Sequence, residues 1–140
     1  MGAAGFETFE HGADIGIRGW GQSLEMAFGQ AAQAMFSLIR PDLEQLRPRQ
    51  EVFVQAEGFD LESLFVAWLN SLLTQADIQG LIFCRFEPRI QGLQLEGWAY
   101  GEHHTRDPDL QGVEVKGATF NELRVSEKQG FWLAQCVVDV

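Results

Sequence analysis

The chain has 140 residues, 10 of them Lys or Arg and 20 Asp or Glu, for a net formal charge of −10. With 46% hydrophobic residues, 11 Phe and 4 Trp, it has the material for a real core, which excludes disorder as the main state. No apolar stretch approaches the ~20 residues of a membrane span, and ten scattered basic residues in an acidic chain argue against strong direct binding of nucleic acid, which needs a basic stripe.

Residues 6–11 and 13–20 read as strands, the second with Ile15 and Ile17 on one face and Asp14, Gly16 and Arg18 on the other. Gly16, Gly19 and Gly21 lack the lysine and the spacing of a nucleotide cradle, so no nucleotide site is expected in this chain. They read instead as turn glycines, with Gly19-Trp20-Gly21 ending the strand. Ser23 is a good N-cap for a helix with Leu24, Ala27, Phe28, Ala31, Met35 and Leu38 on one stripe. Arg40-Pro41 stops that helix, because the residue before a proline is pushed out of helical geometry.

Residues 41–48 form a connector and residues 51–56 an alternating strand. Asp60 then caps a second helix, with Leu61, Leu64, Phe65, Trp68 and Leu72 at helical spacing and Gly80 closing it. Strands are predicted at 81–86 and 93–100, separated by Glu87-Pro88-Arg89. A polar loop over 101–112 leads to strands at 113–120, 123–126 and 131–140, with a turn at 127–130 before the last. Two helices that each bury one stripe, beside seven or eight strands, predict an α+β fold. The expected architecture is a two-layer sandwich of two helices on a mostly antiparallel sheet, in one domain over residues 1–140. Cys84 and Cys136 sit among apolar neighbours and read as core thiols of a reducing compartment. With no signal-like segment at the start, a cytoplasmic location is expected.

Two acidic residues fit this plan badly. Asp14 interrupts a strand, where aspartate is disfavoured, and Asp139 stands at the end of an otherwise apolar strand beside the terminal carboxylate of Val140. If the first and last strands pair, three carboxylates converge, and they repel unless a cation joins them. Such hard oxygen donors suit Ca²⁺, Mg²⁺ or Mn²⁺ rather than zinc. The alternative is two solvated edge residues. His103 and His104 are adjacent and would point to opposite faces of a strand, so a shared metal is not expected of them there.

These residues also carry a resemblance. His11-Gly12-Ala13-Asp14-Ile15-Gly16-Ile17, Ser23-Leu24-Glu25, the run from Leu64-Phe65 through Trp68-Leu69-Asn70-Ser71-Leu72-Leu73, Gly101-Glu102, Glu114-Val115-Lys116-Gly117-Ala118-Thr119-Phe120 and the ending Val137-Val138-Asp139-Val140 together resemble the archease family over nearly the whole chain. Gly12 stands where that family usually has threonine, and Asn121 where it often has histidine. The resemblance implies an accessory protein of the RtcB-type RNA ligase of tRNA splicing and RNA repair. Such a protein promotes the ligase's guanylylation and repeated turnover without sealing RNA itself. It also implies a metal site at Asp14, Asp139 and Val140. His11, Glu114 and Lys116 are further candidates for partner contact. The competing readings are a stand-alone divalent-metal-dependent hydrolase, with His103, His104 or Glu102 as base, and a chaperone-like modulator of enzymes such as methyltransferases.

Overall fold

The computed structural model describes residues 3–104 and 107–140; Thr105 and Arg106 of the predicted polar loop lie outside the described residues. The first strand, β1 (Gly5–His11), and β2 (Asp14–Gly21) form a hairpin whose pairing runs from Gly5–Trp20 to His11–Asp14. Gly12 has φ +61° in its two-residue turn, the sign that primed hairpin turns need and that glycine adopts without strain.

Helix α1 (Leu24–Ile39) begins where the Ser23 hydroxyl accepts the Met26 N–H at 3.1 Å, and ends at Arg40. The third strand, β3 (Gln50–Glu57), leads to α2 (Leu61–Gln79). Asp60 and Ser63 close a reciprocal capping box at the start of α2, and Gly80 ends it in the left-handed region at φ +67°. Then come β4 (Leu81–Gln91), β5 (Gln94–His103), the short β6 (Gly117–Ala118), β7 (Arg124–Lys128) and β8 (Phe131–Asp139).

The α+β class and the antiparallel pairing are as expected, but the strands divide between two sheets. One has the order β1-β2-β8-β6, with β7 also on β8, and the other the order β3-β5-β4. Both helices touch strands of both sheets. Phe28, Met35 and Phe36 of α1 and Leu64, Phe65, Trp68 and Leu69 of α2 meet Ile17, Phe83, Cys136 and Val138 in one buried core. Even the Trp68 indole is satisfied there, donating to the Phe28 carbonyl at 3.1 Å.

Three local expectations are corrected. Gly16, Gly19 and Gly21 are not turn residues but lie within β2. A Cβ on Gly19 would come within 2.2 Å of the Ala31 nitrogen and 2.5 Å of the Ala27 carbonyl, so glycine there lets helix and strand backbones touch. Secondly, β4 runs straight through Pro88, which opposes Gly97. A proline is tolerated because β4 is an edge strand. Its free edge is covered by α1, where the Gln33 amide donates to the Cys84 carbonyl at 2.8 Å and Glu25 accepts the Ile90 N–H at 3.3 Å. Thirdly, of residues 113–120 only Gly117–Ala118 join a ladder. Val115 is still buried between exposed Glu114 and Lys116, so the alternation is present without the pairing.

Candidate metal centre

The strand that meets β8 is the second rather than the first, and it is the strand that carries Asp14. Ile15 pairs with Val138 and Ile17 with Cys136, so the register carries Asp14 and Asp139 to the same end of the two strands. Directly opposed residues of an antiparallel pair share a face, and Asp139 is solvent-exposed there. Beyond it the Val140 N–H donates to Asp14 Oδ1 at 3.4 Å, a bond spanning 126 positions that ties the end of β8 to the start of β2. On its other side Asp139 is held by its main chain: Gly117 pairs with it, and its carbonyl accepts the Lys116 N–H at 2.7 Å.

The aspartates at this corner offer oxygen donors, which suit a hard divalent cation. Among the described residues no three His, Cys, Asp or Glu side chains converge closely enough to hold a metal.

The other candidates fall in two places. His11 closes the hairpin opposite Asp14, and its Nε2 lies 3.8 Å from Glu122 Oε1. Glu114 and Lys116 line a groove of about 580 Å³ with Asp77, His104 and the C-terminal turns of α1 and α2. Lys116 thus both bonds Asp139 through its backbone and lines the groove. Of the hydrolase base candidates, Glu102 and His103 stand at the end of β5 in the second sheet, and His104 follows them into the groove. The His103 ring meets the Gln50 amide at 2.8 Å, and the His104 N–H donates to the Gly80 carbonyl at 3.0 Å. Glu102 accepts from the Arg47 N–H at 2.8 Å and Arg49 Nε at 3.1 Å. The Arg47 hydrogen bond, followed by the Arg49 bond and charge, lowers the Glu102 pKa, which makes it a poor base.

Both cysteines are free thiols. Burial pushes the Cys136 thiol up to about 12, and burial followed by the Glu102 charge raises that of Cys84; neither is poised as a nucleophile. No helix among the described residues is long and apolar enough to cross a membrane.

Residues 6–140 match the Archease protein family (MTH1598/TM1083). The chain belongs to the archease family. Protein archease of Pyrococcus furiosus is 38% identical over 140 residues, covering 96% of this chain and 98% of the relative. That of Sulfurisphaera tokodaii is 36% identical over 137 residues with the same coverage. The solution structure of Methanobacterium thermoautotrophicum protein 1598 superposes with a TM-score of 0.80 at 30% identity, covering 97% of this chain and 99% of that one. A Thermotoga maritima archease, described as a possible chaperone, shares the fold with a TM-score of 0.62 at 18% identity, covering 96% of each chain.

In this archease, one residue near the corner was not legible as a site residue. Asn70, inside the apolar stripe of α2, accepts the Ala118 N–H at 2.8 Å and donates to the Ala118 carbonyl at 3.4 Å. It acts as a strand partner for β6, which in turn pairs with Val138 and Asp139. The available signal was a polar residue breaking a buried helical stripe, since such groups are retained when they satisfy a partner.

Proposed function

We propose that this archease is an activator, not itself a catalyst, of an RtcB-type RNA ligase, promoting the ligase's guanylylation and repeated turnover. The reading is supported by family membership and by the carboxylate corner at Asp14 and Asp139. The observation that carries it is the Val140 N–H on Asp14, which, with the β2–β8 register, brings the start of β2 to the end of β8 where Asp139 stands. Asp14, Asp139 and Val140 would hold a Ca²⁺, Mg²⁺ or Mn²⁺ ion through oxygen. Bound there, such an ion supplies charge neutralisation beside a triphosphate.

The chain's own part is to orient these oxygens. The register between β2 and β8 sets the spacing of the two aspartates, and Lys116 and Gly117 fix the backbone of Asp139. A net charge of −10 favours docking on a basic, RNA-handling partner, with no nucleotide and no RNA held strongly by the archease itself. His11, Glu114 and Lys116 are the further side chains offered to that partner.

The test is RNA joining at substoichiometric ligase with wild-type archease and the folded variants Asp14→Ala and Asp139→Ala, folding being checked by circular dichroism. Repeated turnover with wild type but not with the variants is the expected result. Turnover supported equally by the variants would sink the carboxylate site, and no effect of wild type would sink the activator reading. RNA cleavage or phosphoester hydrolysis by the archease alone would favour a hydrolase instead.

A further inference from the structure

Phe120 is 68% exposed, yet the backbone that displays it is tied down on both sides. Ala118 before it is held by Asn70. The Thr119 N–H and hydroxyl both donate to the Val137 carbonyl, at 3.0 and 2.8 Å, and the Thr119 hydroxyl oxygen accepts the Asn121 N–H at 3.2 Å. The Val137 N–H donates to the Asn121 carbonyl at 3.0 Å. Glu122 sits at φ +53°, in the left-handed region that costs a non-glycine residue roughly 1–2 kcal/mol. Its carbonyl is held at 3.0 Å by the amide of Gln135, a buried side chain that also accepts from Arg18. Residues 119–122 are thus a fixed excursion between β6 and β7, clamped on β8 two positions before Asp139.

Such a loop does not bury its phenylalanine although the ring's burial is worth about 1.5–3 kcal/mol, and it keeps strained backbone that needs surrounding structure to persist. Other exposed aromatics have different settings. Phe53 and Trp98 stack on each other with centroids 5.3 Å apart, and Phe59 precedes α2 beside the β4–β5 turn, where the Gly58 N–H meets the Leu93 carbonyl. Phe120 alone among them is hydrogen-bonded by its loop into the strand that carries Asp139. Its loop also leads into the acidic corner: Glu122, two residues on, lies 3.8 Å from His11, which pairs with Asp14, and Asp14 accepts the Val140 N–H next to Asp139.

We propose that Phe120 is an aromatic anchor for docking: its ring enters an apolar, basic-rimmed pocket of the partner ligase, seating the carboxylate corner beside it. This rests on the activator reading above. A preformed loop with a rigid two-torsion side chain loses little entropy on binding, which is the character of an interface hot spot. The anchor contributes affinity and not chemistry, so its loss is overcome by concentration.

The experiment measures ligase affinity by calorimetry, and ligase turnover against archease concentration, for wild type, Phe120→Leu, Phe120→Ala and Asp14→Ala. Phe120→Ala is expected to weaken binding about tenfold or more, with Phe120→Leu intermediate and full turnover recovered at saturating archease. Asp14→Ala is expected to lose turnover even at saturation. Phe120→Ala binding within twofold of wild type overturns the anchor while leaving the activator intact, as does turnover that stays lost at saturation with unchanged affinity. A wild-type archease that neither binds nor activates the ligase overturns both. If Asp14→Ala remains active at saturation, the carboxylate site falls and the Phe120→Ala affinity still decides the anchor.

Discussion

Asn70 and Ala118 are bonded as two strand residues would be, although one of them is in a helix: the Asn70 amide oxygen accepts the Ala118 N–H at 2.8 Å, and its amide nitrogen donates to the Ala118 carbonyl at 3.4 Å. A side chain of α2 thereby closes the free edge of the short β6, whose other edge is on Asp139 and Val138. Helix packing and the position of the last strand are linked through this one amide.

Asn70→Leu removes both bonds at nearly constant volume and leaves the Ala118 N–H without its partner. An unsatisfied donor costs about 1–3 kcal/mol when fully buried; this bond is part-buried, so urea denaturation should show a loss of about 1 kcal/mol. Asn70→Asp keeps the acceptor for the shorter bond and should lose less. Equal stability of Asn70→Leu and wild type would mean that the edge closure is idle.

The helices and their caps were legible because each signal is local: Ser23, Asp60, Gly80 and Arg40-Pro41 all act within one turn. Strand existence was legible from alternation, as at Ile15 and Ile17. What escaped depends on distant neighbours. Gly19 looks like a chain breaker until α1 is laid against it, and Pro88 looks like a strand end until β4 is known to be an edge. The division into two sheets is likewise a property of pairing, not of any segment. At the candidate site, Asp14 and Asp139 stand out because charge is rare on such strands. Asn70 and Phe120 take their meaning from contacts to β6 and β8, which the sequence does not display.

Gly19→Ala should be severely destabilising. The new methyl would lie 2.2 Å from the Ala31 nitrogen and 2.8 Å from its Cα, both backbone atoms of a buried helix that cannot swing aside as a side chain can. Overpacking of this kind typically costs about 1–3 kcal/mol or more. Thermal unfolding should show a clear fall in Tm. By contrast, Gly29→Ala meets nothing closer than 3.9 Å and, in a helix interior, should raise stability by about 0.5–1 kcal/mol.

Alkaline pH should expose the burial of Cys136. Its thiol is pushed up from 9.0 to about 12 in the folded chain, so the folded state disfavours the thiolate. The associated stability is complete below pH 9 and is lost as pH rises from there towards 12. The slope is about 1.4 kcal/mol per pH unit from this group. Denaturation midpoints measured between pH 8 and 11 for wild type and Cys136→Ala should diverge in slope, with the alanine variant flatter. Parallel slopes would show that the thiol does not report folding. In native protein at pH 8, a thiol reagent should spare Cys136 until the chain unfolds.

Cation binding at the carboxylate corner has a stability signature that needs no ligase. A ligand that binds only the folded chain stabilises it by about 2.7 kcal/mol at one hundred times its Kd, so Ca²⁺, Mg²⁺ or Mn²⁺ should raise the wild-type Tm in proportion to affinity. Asp14→Asn and Asp139→Asn should each weaken binding at least tenfold, since each removes a charged oxygen donor. Without metal, both variants should stay within about 0.5 kcal/mol of wild type. Asparagine at position 14 can still accept the Val140 N–H, and one fewer carboxylate at the corner lowers the local repulsion. Chelation should cancel the wild-type gain and leave the variants where they were. A wild-type Tm indifferent to all three cations would remove the metal from this site, and with it the reason for two aspartates at the paired ends of β2 and β8.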